Sequence, residues 1–551
     1  MSLQEIPVPP EPPPELPSAG PRPPPLSPWE PLKLPTFRML WLVWATSNIC
    51  MWANDVAAAW LMTSLTTSAT LIALVTTASS LPVFLLGLPS GALADIVDRR
   101  KYFMVTQIWV AINAAVLYLV SITVGLTPTL LLLLVFTNGI GLAMRWPVYA
   151  AIIPELLPRE QLPLGLALNG IAVNVSRIVG PLVAGAIIAA FGSEYVFAMN
   201  GVLSIACALV LFRWRRETKP PSVLPGERFL GAMRLGWQYV RESRRMKDAI
   251  VLTCSFFLHA TALIALLPLV AKRMVDGGAG IFTLLLAALG TGAVVAATQL
   301  PKLRHRWDRD QLALRGSLLQ SVSTFVVAFS DHAWIAMPAM FLGGAAWIIT
   351  ANSVSVSAQL SLPNWVRARG MAIYQMAIMG GTALGAFIWG RLAESTSVPT
   401  SLAFCSVSLL VALFLTRERV LEGAQEEDHT PTHPWPEPVP TLPIALDAGP
   451  VMITLEYLID PGRRGEFESI MAESRSARLR QGAVSWGLFE DVERPGRFVE
   501  YFACDTWADY LRRYQRFTAM DERLQSMRHA FHLGEGPPRV SRFIARHPPA
   551  R

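Results

Sequence analysis

The sequence predicts an all-α membrane protein of twelve spanning helices in two sets of six, followed by a small α+β domain of ferredoxin-like layout. Three observations predict it. Only 16% of the 551 residues are charged and 52% are hydrophobic, against roughly 25% charged in soluble domains. The charges also avoid long stretches: no Asp, Glu, Lys or Arg lies between Val56 and Ala94, or between Tyr102 and Met144. A bilayer crossing needs about 20 apolar residues, so each stretch holds two crossings. Finally, the composition changes after Arg419, where a proline-rich, acidic segment leads into a stretch of ordinary soluble character.

Residues 1–36 contain 14 prolines and no apolar run, so a disordered, polyproline-like tail is expected rather than a cleavable signal peptide. Apolar segments then place the crossings at about 39–63, 70–94, 103–124, 129–152, 164–190 and 195–213, which form a first half over 37–214. The segment 215–247 is expected to be a cytoplasmic linker. Within it, Arg228–Arg245 interleaves Phe229, Met233, Leu235, Trp237 and Tyr239 with five arginines, the pattern of an amphipathic helix lying at a membrane interface. The second half, 248–419, holds crossings at about 248–271, 281–300, 315–330, 333–353, 368–390 and 398–416.

Lysine and arginine set the orientation. With the N-terminus inside, the loops on that side carry 21 of these residues against three (Lys272, Arg273 and Arg391) on the other. Both termini are therefore expected in the cytoplasm. The net charge of +7 sits in these short loops, which argues for lipid rather than nucleic acid as the basic surface's partner. The five cysteines have no paired spacing and imply neither disulfides nor a metal site. No cofactor is implied.

Residues 420–450 read as a proline-rich linker. In 451–546 the order is strand (Val451–Leu458), helix (461–480), strands (483–490 and 497–504), helix (506–531) and strand (539–545). The charged residues Arg478, Arg480, Glu490, Asp491 and Glu500 read as a salt-bridged surface, and His529 and His532 as solvated histidines.

Several motifs carry chemistry. Gly91-Ala92-Leu93-Ala94-Asp95-Ile96-Val97-Asp98-Arg99-Arg100-Lys101 follows the second crossing. Its small residue allows close helix approach, its acid can meet a helix N-terminus, and its basic cluster fixes the loop inside. In the fifth crossing, Ala167, Ser176, Gly180, Pro181, Ala184 and Gly185 form a small-residue run whose Gly-Pro step bends the helix. Gly380, Gly381 and Gly385 stand at the corresponding place in the eleventh, and such internal symmetry is expected of transporters built from repeats. A charge within the bilayer costs at least about 2.5–3.5 kcal/mol, so Asp55, Arg145 and Arg177 are either functional or structurally paired. The functional reading makes Asp55 a titrating carboxylate in a central cavity, balanced by an arginine. Trp52, Trp347, Tyr374, Gln375 and Trp389 are candidate walls of a substrate cavity, and His259 is expected to be a neutral, hydrogen-bonded histidine.

The Gly91–Lys101 segment and the six-plus-six layout resemble the major facilitator superfamily, with Asp98 where a glycine is usual. The resemblance implies a cytoplasmic gate containing Gly91, Asp95, Arg99 and Arg100, with Glu155 as a partner. The Gly180–Gly185 segment resembles the signature of exporters, mostly proton-coupled antiporters. Further segments, among them Asn54–Leu61, Pro154–Leu162, Asn174–Arg177, Leu362–Arg369 and Arg478–Ala483, look like the bacterial transmembrane secretion effector branch, related to enterobactin exporters. This implies a multi-pass protein of the bacterial inner membrane that exports a small amphipathic compound, siderophore- or drug-like, with protons as the coupling ion. The C-terminal layout resembles antibiotic-biosynthesis monooxygenase-like domains, which pair into dimeric barrels. That leaves two alternatives open beside export: a transporter–enzyme fusion whose tail modifies the exported compound, and a membrane sensor without transport. The chain itself is not expected to be an enzyme, the tail's role remaining open, and a dimer through the tail is a candidate assembly.

Overall fold

A computed structural model describes residues 27–545, apart from residues 28, 159, 215–228, 276, 364, 422–427, 429, 431, 433–439 and 442. At positions 92, 94–96, 151, 154, 163, 229, 230, 232 and 515 the backbone alone is described. Residues 1–26 of the expected tail 1–36 and parts of the two linkers fall outside these residues; the end of the tail is structured instead, with a 3-10 turn at Glu30–Lys33 and a long helix that starts at Pro35.

Among the described residues, twelve long helices match the twelve expected crossings. The first half comprises α1 (Pro35–Leu65), α2 (Ala69–Ile96), α3 (Arg99–Thr123), α4 (Pro128–Leu156), α5 (Leu162–Ala190) and α6 (Ser193–Arg213). The shorter α7 (Phe229–Glu242) follows. The second half comprises α8 (Arg244–Arg273), α9 (Ala279–Arg304), α10 (Arg309–Ala328), α11 (Ala333–Leu360), α12 (Arg367–Ser395) and α13 (Val398–Leu415). Ten of the twelve are long and apolar enough to cross a membrane on composition alone; α1 and α10 fall short. Both carry more polar side chains, α1 with Arg38, Asn48, Asn54 and Asp55 and α10 with Asp310, Gln311, Arg315 and Gln320.

Local chemistry starts several of these helices. The side chains of Ser68, Asp98, Thr127, Ser243, Asp308 and Ser397 each accept a hydrogen bond from a backbone N–H in the first turn of α2, α3, α4, α8, α10 and α13. Asp98 and Asp308 occupy matching places in the two halves, each just before an arginine. The residue that departs from the expected glycine is thus the cap of α3.

The halves meet differently at the two ends of the bundle. We call the end that holds the Arg99–Lys101 cluster the basic end, and the opposite one the far end. At the far end, one hydrophobic cluster draws on both halves, from Ala57, Met62, Ala73 and Phe197 to Leu266, Phe282, Met340 and Leu402. At the basic end the cores are separate. One is built from residues between Phe37 and Trp214. The other is built between Tyr239 and Leu421, with Leu88 of α2 as its half-buried contribution from the first half.

The C-terminal domain is a four-stranded antiparallel sheet ordered β2-β3-β1-β4, with β1 Val451–Leu458, β2 Ser485–Glu490, β3 Arg497–Cys504 and β4 Arg539–Ile544. With α14 (Arg464–Arg480) and the later helices this is the ferredoxin-like order. The expected single helix over 506–531 is instead two, α15 (Trp507–Arg516) and α16 (Ala519–His529). Thr518 breaks it: its hydroxyl and N–H meet the Asp521 carboxylate in a capping box that starts a new helix. The inner sheet face packs Val451, Ile453, Tyr457, Phe498 and Phe502 on Phe467, Met471 and Trp507. The outer face leaves Met452, Leu458, Phe489 and Phe543 exposed.

The helix α7 links the parts. Leu235, Tyr239 and Val240 are buried. The Tyr239 hydroxyl donates to Ser361 O at 3.1 Å, and its ring meets Trp365 edge-on at 5.8 Å, both between α11 and α12. On its other side Gln238 donates to Ala483 O at 2.6 Å, Glu242 accepts from Ser476 at 3.2 Å, and Arg234 pairs with Asp505. Arg516 of α15 also reaches across to lie 4.9 Å from the Trp365 ring. Of the four whose side chains are described, Leu235 and Tyr239 are buried, Met233 is half-buried and Trp237 is widely exposed, so the apolar residues expected at a lipid interface are largely covered by protein.

Candidate functional site

At the basic end, the Gly91–Lys101 segment ties helices of the first half together. Arg99, at the start of α3, forms an ion pair with Glu155, at the end of α4. Arg100 donates from its Nε to Leu211 O at 3.0 Å, and from a terminal nitrogen to Phe212 O, satisfying the last carbonyls of α6. A methyl group added at Gly91 would meet Pro147 Cβ at 3.9 Å, ordinary contact, so packing in this state does not demand glycine there. The Asp95 side chain lies outside the described residues. In the second half, Arg304 donates to Asn352 and Arg315 lies 3.9 Å from the Trp307 ring.

Midway along the bundle, glycines set how closely helices cross. At Gly180 a Cβ would fall 2.6 Å from Trp52 Cβ and 2.9 Å from Ile49 O, so α5 rests on the α1 backbone. Five residues on, past Pro181, a Cβ at Gly185 would fall 2.1 Å from Thr283 Oγ1 of α9, across the boundary between halves. The second half repeats the device. Gly385 lies against Leu258 O of α8 and Gly380 against Phe84 of α2. Each Gly-rich helix therefore touches the first helix of its own half and one helix of the other half.

The three intramembrane charges are not brought together as an acid–base set. Asp55 is half-buried and makes no ion pair with a described residue. Arg145 is 3% exposed; it donates to Ser47 O at 3.1 Å and lies 5.4 Å from the Trp44 ring, within the first half. Arg177 lies between two indoles, 5.2 Å from the Trp52 ring and 5.9 Å from the Trp347 ring. Trp52 belongs to α1 and Trp347 to α11, so this cluster spans the halves. Phe257 and Phe256 meet Trp347 edge-on at 5.0 and 6.2 Å and hold it from behind. The sequence reading missed these two phenylalanines; an aromatic pair inside a crossing was the available signal.

The other candidate cavity residues divide. Tyr374 is 2% exposed within the basic-end core of the second half, and Gln375 beside it is half-buried. Trp389 belongs to the far-end cluster, where its indole N–H donates to Leu258 O at 2.9 Å. His259 hydrogen-bonds Ser255 O through Nδ1 at 2.7 Å.

The far-end closure carries polar groups that the sequence reading did not single out. Lys272 of α8 donates to Thr63 O of α1 at 2.5 Å and lies 5.7 Å from the Trp60 ring. Trp60 in turn stacks on Phe282 of α9 at 5.3 Å. Glu394 of α12 accepts from Ser68 Oγ at 2.7 Å and Thr70 N at 2.9 Å, at the start of α2. Charges at the ends of the crossings were the signal, but their partners are distant in sequence.

In the C-terminal domain, Glu500 is fully buried, which corrects the surface reading. It accepts from Arg478 Nε at 2.9 Å, Trp486 Nε1 at 3.0 Å, Ser474 Oγ at 3.2 Å and Tyr457 Oη at 3.2 Å, with Arg528 at 3.4 Å. Burial alone would raise its pKa, but Arg478 and Arg528 outweigh burial and hold the carboxyl at about 2. His532 accepts from Leu458 N at 3.0 Å and so serves the strand edge. Among the described residues no group of three or more His, Cys, Asp or Glu side chains could hold a metal ion.

Residues 26–549 match the family model described as transmembrane secretion effector. The Staphyloferrin A transporter of Staphylococcus aureus is 20% identical over 385 residues, covering 69% of this chain and 95% of that protein. The Enterobactin exporter EntS of Shigella boydii is 23% identical over 384 residues, covering 68% and 90%. Among solved structures, a bacterial homolog of the human lysosomal transporter Spinster, inward-facing and unoccupied, superimposes with a TM-score of 0.55 at 16% identity, covering 70% of this chain and 96% of that one. That likeness shows the fold.

Proposed function

Since the chain belongs to the transmembrane secretion effector family, we propose that this membrane transporter is a proton-driven exporter of a small amphipathic compound, siderophore- or drug-like, working by alternating access. Export is supported by the names of the relatives, one a siderophore exporter and one a siderophore transporter. The basic end faces the cytoplasm on the positive-inside rule, with both termini inside and the membrane that of the bacterial cell. The observation that carries the reading is the asymmetry of the two ends. The far end is closed by contacts between halves, Lys272 to Thr63 and Gly185 to Thr283, whereas the basic-end cores form separate clusters, joined through α2 at Gly87 and Leu88. In these terms the structure is an inward-facing state, with Arg177 and its two indoles between the halves. Asp55, which forms no ion pair with a described residue, is the carboxylate that takes up and releases the proton on this reading. Arg99 and Glu155, with Gly91, Asp95 and Arg100, form the gate that must meet the second half when the basic end closes. The uncovered apolar outer face of the C-terminal sheet supports pairing with a second copy of the chain, checked by the mass of the full-length protein in nanodiscs.

The test is compound accumulation in cells lacking their own efflux pumps, across siderophores and lipophilic drugs. Wild type is compared with Asp55→Asn at equal expression, with and without a proton uncoupler. Lower accumulation in wild type, abolished by both the variant and the uncoupler, supports proton-driven export through Asp55. Export that survives in the variant removes Asp55 from the coupling path, and export that survives the uncoupler removes the proton.

A further inference from the structure

The cluster around Arg177 has a property that the proposed function does not use. Buried polar atoms without a hydrogen-bond partner include Arg177 Nε, Trp52 Nε1 and Trp347 Nε1. All three are donors, and none of these three side chains has an acceptor to offer. Buried donors are as a rule satisfied, so three of them in adjoining side chains describe what is absent: a group that accepts. The guanidinium adds charge to the requirement. Arg177 forms no ion pair with a described residue, and Asp55, one turn from Trp52 on α1, does not pair with it. A cation held in a low-dielectric setting without a counterion is completed by an anion. Its planar fork matches a carboxylate in two-point contact, while the two indoles offer flat apolar walls.

We infer that Arg177, Trp52 and Trp347 form a binding site for an organic anion with a planar, acceptor-bearing charged group on an aromatic body. The inference rests on the transport reading for its purpose and names the substrate class for that site. Cationic amines are disfavoured, because they would bring a like charge to an uncompensated guanidinium and supply no acceptor. The two indoles come from opposite halves, so a bound anion would be held by both. Phe256 and Phe257 fix Trp347 on one side, and the Gly180 crossing fixes Trp52 on the other, so both indoles that flank Arg177 are held in place.

Salicylate and benzylammonium, similar in size and opposite in charge, are the probes. The full-length protein in nanodiscs is titrated with each by calorimetry, as wild type, Arg177→Gln and Arg177→Lys, with gel filtration to show that each variant is folded. Salicylate is expected to bind wild type and Arg177→Lys, and Arg177→Gln at least tenfold more weakly, while benzylammonium gains nothing from Arg177. Salicylate binding that is absent in wild type, or unchanged in Arg177→Gln, overturns the assignment. So does benzylammonium binding wild type more tightly than Arg177→Gln. Transport is measured alongside to separate the two claims. Arg177-dependent salicylate binding without export of any compound refutes the transport reading and leaves the anion site standing. Export of cationic compounds that Arg177→Gln does not alter does the reverse.

Discussion

Gly185 of α5 and Thr283 of α9 approach so closely that a Cβ on the glycine would sit 2.1 Å from the threonine hydroxyl and 2.2 Å from its methyl group. The two residues belong to different halves, so this contact forms part of the far-end closure. The threonine is short and β-branched and has little room to swing away. Gly185→Ala is therefore expected to open the far end and shift the protein towards an outward-facing population. Thr283→Ala should restore part of the loss, as coupled neighbours do. The measurement is thiol labelling of a cysteine placed at position 281, with labelling rising in Gly185→Ala and falling again in the double variant. Equal labelling in all three would refute it.

Gly180 acts within the first half. A methyl group there would strike Trp52 Cβ and the Ile49 carbonyl, and the carbonyl is backbone that cannot rotate aside. Overpacking of this kind costs about 1–3 kcal/mol. Gly180→Ala should lower thermal stability by that order, while Gly170→Ala, with nothing within 4 Å of its added methyl, should leave it unchanged or raise it. A detergent-solubilised thermal melt of the pair decides the matter.

Glu500 gives the soluble domain an acid limit. Its carboxyl titrates at about 2 when folded, below the ordinary 4.5. The stabilisation is therefore complete above about pH 4.5 and is lost as pH falls through about 2. Hydrogen exchange of 498–504 should quicken across that window. Glu500→Gln leaves Arg478 and Arg528 buried without their carboxylate, and losing one partner of a buried pair costs about 3–5 kcal/mol. The variant should show fast exchange already at pH 7; protection equal to wild type would show that the arginines find other acceptors.

Tyr239 anchors α7 to the second half. It is 4% exposed, and its hydroxyl holds Ser361 O. Tyr239→Ala should remove about 3–5 kcal/mol of packing, as buried aromatic truncations do. The expected readout is faster hydrogen exchange over 229–242 together with 361–369. A Tyr239→Phe variant, keeping the ring against Trp365, should lose only the hydrogen bond, about 1 kcal/mol.

The helices were legible because apolar runs and basic loops obey one-dimensional rules: a crossing has a length, and its flanks have charges. Contacts between halves were not. Nothing in the spacing of Arg177 and Trp347, 170 positions apart, announces that they meet. Some signals were present and unread. Glu500 shares the parity of Phe498 and Phe502 on β3, which pointed it inward. Asp98 precedes Arg99 in the position of a helix cap, and Thr518 with Asp521 forms the start signal that divides α15 from α16. The expectation of an arginine balancing Asp55 followed from charge pairing in low dielectric; the structure instead gives Arg145 carbonyl and aromatic partners and Arg177 aromatic ones.

The seat of α7 between the soluble domain and the segment 361–369 bears on how such a chain can change over generations. A tail joined only by a loose tether could be lost, duplicated or exchanged with little effect on what precedes it. Here Ala483, Ser476 and Asp505 of the tail meet a helix encoded between the two halves, and Arg516 meets Trp365. The tail, the central helix and one loop of the second half thus form a single heritable unit written in three separate stretches of gene. Recombination that replaces one stretch without the others would leave mismatched faces, so these stretches are expected to change in concert.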